Sequence, residues 1–149
     1  MALSINFGLK GYPIEDEQTG QELGVIYFNP SDVGLATRWE AARKAIKEAT
    51  ETMPKSGDGM LEALDELDNR VKAQLDYAFG TPVSVVLFQQ VSSLALCDDG
   101  RMVIENVLDA LAPIVEDAQQ TAVKAGEARV KAKTAKYEGT TRGLAPGQK

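Results

Sequence analysis

Three apolar stripes of helical period constrain this chain more than any other feature. Leu35, Trp39, Ala42, Ile46, Ala49 and Met53 recur at spacings of four and three, the repeat of one helix face. Met60, Leu64, Leu67, Val71, Leu75 and Ala78 form a second stripe, and Ile104, Leu108, Leu111, Val115, Ala118, Ala122 and Ala125 a third. Each stripe must be buried against another element. Pro54, Gly57 and Gly59 separate the first from the second, and Gly80 with Pro82 stops the second. The expected fold is therefore mainly α, with three to four amphipathic helices, an N-terminal β-hairpin and a long C-terminal helix.

The hairpin is expected over residues 1–28. Leu3, Ile5, Phe7 and Leu9 alternate strictly, the period of a half-buried strand. Residues 11–22 carry Gly11, Pro13, Gly20 and several acids, and read as a loop. Leu23 to Phe28 supplies the second strand. Two strands alone are marginal, so the hairpin must lie on helices or pair with another chain. Asn29 is the expected cap of the first helix, with Pro30 at its first position and Asp32 in its first turn.

Residues 83–96 admit two readings. Val83, Val85 and Val86 favour a strand, whereas Leu87, Val91 and Leu94 fit helical spacing; the length of the segment favours helix. Asp98 or Asp99 is expected to cap a final helix over about residues 100–137, kinked at Pro113. Its stripe thins to alanine after residue 117, so its C-terminal half is expected to project. Residues 1–137 would form one helical domain and 138–149 a flexible tail.

Chemistry is scarce. With 149 residues the chain suits one domain, and it has no histidine, which removes the commonest general base and most zinc sites. Cys97 is the only cysteine, so no internal disulfide can form, and its apolar neighbours Leu94, Ala95 and Leu96 suggest a small buried side chain. Glu15, Asp16 and Glu17 lack calcium-loop spacing. Asp65, Glu66 and Asp68 read as the polar side of a helix, and Asp98 and Asp99 as a cap. Lys55 to Gly59 has phosphate-loop residue types in the wrong order. No enzyme, metal or cofactor is expected.

Residues 1–120 hold 20 acidic and 9 basic side chains, and residues 121–149 hold 2 and 7. An acidic body argues against nucleic acid as a partner. The basic end reads as a solvated helix terminus that suits the helix dipole. The longest apolar run, Val85 to Phe88, is far too short for a membrane span, and no signal peptide is expected.

The segment Asp76-Tyr77-Ala78-Phe79-Gly80, followed by Leu87-Phe88 and then by Cys97, resembles the tail assembly chaperones of tailed phages and prophages of Gram-positive-type hosts. The resemblance covers approximately residues 25–137, with its specific part at Phe79, Phe88 and Cys97. It supports the helical reading of residues 83–96. It implies a non-catalytic protein of the host cytoplasm, not retained in the mature particle. Such a protein binds and solubilises the long helical tape-measure protein during tail assembly. The major tail protein and further copies of the chain itself are the other candidate partners. This chain would be the short form of a pair, with any frameshifted extension joining at its basic end. The partner-binding candidates are Phe79, Leu87, Phe88 and Val91, placed in an apolar groove between helices. Core packing is the competing reading for Phe79 and Phe88, and the default for Trp39. A structural tail or connector protein that self-assembles is the alternative function.

Overall fold

The computed structural model describes the backbone of residues 1–142 and the side chains of residues 1–135. Among them are a two-stranded antiparallel sheet, β1 (Lys10–Glu15) and β2 (Glu22–Phe28), and four helices, α1 (Val33–Glu51), α2 (Met60–Phe79), α3 (Val83–Leu87) and α4 (Val103–Arg142). The mainly helical fold with an N-terminal hairpin and a long final helix is as expected. No helix among the described residues is long and apolar enough to cross a membrane.

The stripes on α1 and α2 pack on each other. Leu35, Trp39, Ala42 and Ile46 of α1 and Leu67, Val71, Leu75 and Ala78 of α2 are buried. Arg38, near the start of α1, donates from Nε to the Ala78 carbonyl at the end of α2 (3.1 Å), so the two helices run antiparallel. The α4 stripe contributes Ile104, Leu111 and Val115. Gln119 then bonds from Nε2 to the carbonyls of Pro30 (3.1 Å) and Asp32 (3.0 Å). Beyond that point side chains are mostly exposed, including Val123 and Val130. The C-terminal half of α4 does project.

The hairpin is present, but its first strand is not residues 3–9. β1 lies in the stretch read as a loop, and Leu3, Ile5, Phe7 and Leu9 are all exposed. The reason is coverage. Tyr12 and Ile14 face inward beside Ile26 and Phe28, and Tyr12 stacks on Phe28 with ring centroids 4.6 Å apart. Leu3, Ile5, Phe7 and Leu9 have no such cover among the described residues, and Gly8, at φ 69°, interrupts the extended run before β1. Alternation shows that a strand would be half-buried if paired; it does not provide the pairing.

Three further expectations shift for local reasons. Asp32, not Asn29, caps α1 by accepting from the Gly34 N–H (2.9 Å), while Asn29 accepts from the Ser31 N–H. At α4 neither Asp98 nor Asp99 caps. The Asp99 carboxylate accepts from the Arg101 N–H, and Glu105 at the helix start accepts from the Met102 N–H (2.8 Å), one half of a capping box. α4 runs on as helix through Pro113, whose side chain is exposed. The same helix continues past residue 137 to Arg142, and the rest of the expected tail lies outside the described residues.

Leu67 and Leu75 are 2% and 0% exposed, whereas Leu108 is half-buried. Replacing Leu67 or Leu75 with alanine should cost ~2–5 kcal/mol by denaturant unfolding, and Leu108→Ala distinctly less. Trp39 is buried with its Nε1–H unpaired, a defect of ~1–3 kcal/mol. Trp39→Phe removes that donor and should cost much less than Trp39→Ala, for which ~3–5 kcal/mol is expected.

Candidate functional site

The segment from Asp76 to Ile104 contains every residue expected to bind a partner. Its geometry starts with the end of α2. Gly80 adopts φ 70°, ψ 9° and donates its N–H to the Asp76 carbonyl (2.8 Å), a left-handed stop that suits glycine. The Asp76 carboxylate then accepts from both the N–H and the Oγ of Ser84, each at 2.8 Å. One side chain of α2 thereby fixes the first turn of α3.

α3 ends at Leu87, so the expected helix over 83–96 is corrected to one short helix followed by irregular chain. The cause is a buried carboxylate. Asp68 accepts from the Ser93 N–H (2.9 Å) and from the hydroxyls of Ser93 and Ser92 through Oδ1, while Oδ2 pairs with Lys72 at 2.8 Å. Ser93 is fully buried. A helix through Ser92 and Ser93 would give up these bonds, and serine side chains compete with helix by bonding of this kind. Asp68 therefore does not lie on an outer polar face with Asp65 and Glu66. It flanks the α2 stripe and faces inward.

Two opposed effects act on the Asp68 carboxyl. Burial pushes its pKa up. The Lys72 ammonium and the bonds from Ser93 and Ser92 outweigh that and leave it below the ordinary carboxylate range. Past Ser93 the chain closes a small turn. Leu96 and Met102 form an antiparallel bridge, and Val103 and Ile104 donate back to the carbonyls of Ala95 and Ser93. Cys97 is half-buried, its N–H on the Arg101 carbonyl.

The four candidates are not on one surface. Phe79 and Phe88 are 6% and 7% exposed and belong to the core. Phe79 contacts the Phe28 ring edge-on at 4.8 Å and the Trp39 ring at 6.0 Å. Leu87 is half-buried against that core, and Val91 is exposed. The competing core reading therefore describes the two phenylalanines. The outward large hydrophobic side chains of this segment are Tyr77, Val85, Val91 and Leu96. Sequence reasoning misses Val85 because it takes the segment for a longer helix.

Two apolar grooves adjoin the segment. One, of about 350 Å³, lies between β2 and α3, with Val25, Tyr27, Thr81, Val83, Val85 and Val86 on its walls. The other, of about 480 Å³, includes Phe7, Leu9, Tyr27, Phe79 and Thr81. A smaller one of about 230 Å³ between α1 and α4 mixes Arg43, Lys47 and Arg101 with Glu105, Asp109 and Glu116. Among the described residues no group of three or more His, Cys, Asp or Glu side chains could hold a metal ion. Comparison with known proteins gave no match to a family model, to a curated protein or to a solved structure.

The Asp68 clamp generates a test. A carboxyl whose folded pKa is lowered adds stability that is fully present above its unfolded pKa and is lost as pH falls through the folded one. Asp68→Asn should therefore destabilise most at neutral pH. The gap to the unsubstituted protein should close as the pH drops below the ordinary carboxylate range, measured by urea unfolding at each pH. Asp68→Ala, which leaves the Ser93 donors unpaired, should cost roughly 1–3 kcal/mol for each orphaned group.

Proposed function

We propose that this protein is a non-catalytic assembly chaperone that binds a long apolar or amphipathic helical chain and keeps it soluble. The tape-measure protein of a phage or prophage tail is the partner that the resemblance of the Asp76–Cys97 segment implies, and the host cytoplasm is where the two would meet. One observation carries the reading. α4 leaves the core after Gln119 and runs on with exposed Val123 and Val130 among Lys124, Arg129, Lys131 and Lys133. A helix that packs on little else among the described residues has its stripe free for another helix. Val85, Val91 and Leu96, with half-buried Leu87, offer further apolar contact, and Phe79 and Phe88 support that surface from beneath.

The self-assembling structural protein remains the second reading. The exposed apolar residues of the N-terminal arm favour it.

Co-expression with a long helical tape-measure protein, taken from a neighbouring gene where one is found, tests the chaperone reading. The full chain should raise the soluble yield of that partner and co-purify with it. A chain ending after Ala122 should keep its unfolding cooperativity, losing only the helical dichroism of the removed part of α4, but lose most of the capture, and Val91→Asp should weaken it. No gain in partner solubility with the full chain rejects the proposal. Full capture by the shortened chain removes α4 as its basis.

A further inference from the structure

We infer that residues 1–9 form a strand that is completed only in a dimer, each copy laying its arm on the β2 edge of the other, independently of any chaperone role.

The arm has the pattern of a strand but none of its contacts. Leu3, Ile5, Phe7 and Leu9 are 83%, 60%, 65% and 60% exposed. Among the described residues its root is held by a hydrogen bond from Asn29 Nδ2 to the Phe7 carbonyl (3.0 Å). A row of four large apolar side chains left in water forgoes the burial that each could gain.

The sheet offers two edges, and they are not equivalent. Pro13 lies opposite Val25. A proline fits a strand where its nitrogen faces away from the ladder, so the Pro13–Val25 pair directs its backbone groups outward on both sides. On β1 the Asp16 N–H bonds to the Gln21 carbonyl, in phase with an outward Pro13, and on β2, beyond the register shift at Ile14/Glu15, the Leu23 carbonyl is turned outward to Gln89. The β1 edge thus carries a proline that cannot donate, which blunts it. The β2 edge exposes both groups of Val25 and, two residues on, of Tyr27. Lower down, that edge is already occupied. Gln89 Nε2 bonds to the Leu23 carbonyl (2.8 Å), and Val86 packs against Gly24. The opening at Val25 and Tyr27 is flanked by the apolar groove against α3. An added strand would meet backbone partners on one side and Val83 and Val85 on the other, the recognition mode of strand addition.

Charge matches as well. Over a quarter of the chain is charged, yet residues 1–9 hold no charged side chain, nor do residues 23–28 or 81–86. Docking one on the other buries no charge and leaves none unpaired.

A second copy fits this edge better than the same chain. Within one chain the arm would have to lie parallel to β2, with only Gly8 and Leu9 to lead it round the end of the sheet into β1. That link would have to cross the end of β2, ~10 Å for two strand spacings, a reach that so few residues have only when fully extended, and Gly8 at φ 69° is not extended. The arm root and the receiving groove also share Tyr27 and Thr81. Donor and acceptor therefore occupy one patch, as a two-fold exchange requires.

Light scattering coupled to size exclusion tests this on the full chain. The expected mass is twice the 16.0 kDa subunit. A variant lacking residues 2–7, and separately Ile5→Asp, should fall to one subunit while keeping the helical dichroism of the parent. Since residue 5 is exposed, Ile5→Asp keeps the question answerable should the truncated chain fail to fold. A single-subunit mass for the full chain at high concentration overturns the inference, and so does a dimer that survives both changes.

Discussion

Phe79 is where the parts of this molecule meet. It is the last residue of α2, its ring lies 4.8 Å from Phe28 on β2 and 6.0 Å from Trp39 on α1, and Phe28 in turn stacks on Tyr12 of β1. Aromatic residues are only 6% of the chain, so this convergence takes up a large share of them. A two-stranded hairpin has too little of its own to be stable. Here the Phe28 ring on its inner face meets the Phe79 ring of α2, a contact that adds ~0.5–1.5 kcal/mol beyond burial. The next residue, Gly80, turns the chain out of α2 and into α3. One position thus ties the hairpin to the helical pair and sets the direction in which α3 leaves it.

From α3 to the start of α4 the chain is held by carboxylates more than by periodicity. Asp76 fixes the start of α3, and Asp68 fixes Ser92 and Ser93. Between them α2 dictates the path of a segment that has little regular structure. The α1 and α2 stripes were legible because every apolar position in them serves one face and one partner. The path after Leu87 was not legible, because apolar spacing in a short run fits helix, strand and pinned loop alike. The deciding contacts are polar, and they join residues far apart in sequence. A signal did exist. Asp68 sits beside Leu67 and one turn from Leu64 and Val71, close to the buried stripe, and an adjacent serine pair lies downstream. A carboxylate so near a core face needs partners.

The same distinction separates Phe79 and Phe88 from Val91. An apolar type at helical spacing reports that burial is available, not which surface provides it. Both phenylalanines find it inside their own chain and Val91 does not. Leu3, Ile5, Phe7 and Leu9 carry the clearest strand alternation in the sequence and all remain exposed. The expectation failed at the level of partner, not of pattern. β1 succeeded with a weaker pattern because Tyr12 had Phe28 to stack on.

Both ends of the described chain therefore have the composition of packed structure without the packing. The N-terminal arm keeps large alternating hydrophobes in water, and α4 carries valine and alanine well past its last buried residue, Val115. The core between them is complete without either. Its buried residues run from Ile26 to Val115, and the one buried side-chain polar atom left unpaired among the described residues is Trp39 Nε1. Apolar surface that intramolecular stability does not use is the usual mark of a surface that binds. The two ends differ in what they suit. A bare strand with an open edge beside its root is self-complementary, whereas a basic amphipathic helix is matched by an acidic or apolar helical chain. Self-association at one end and capture of a helical partner at the other can coexist in one molecule. The dimer would then present two projecting helices to the same long chain, and two linked weak contacts hold such a partner far better than one.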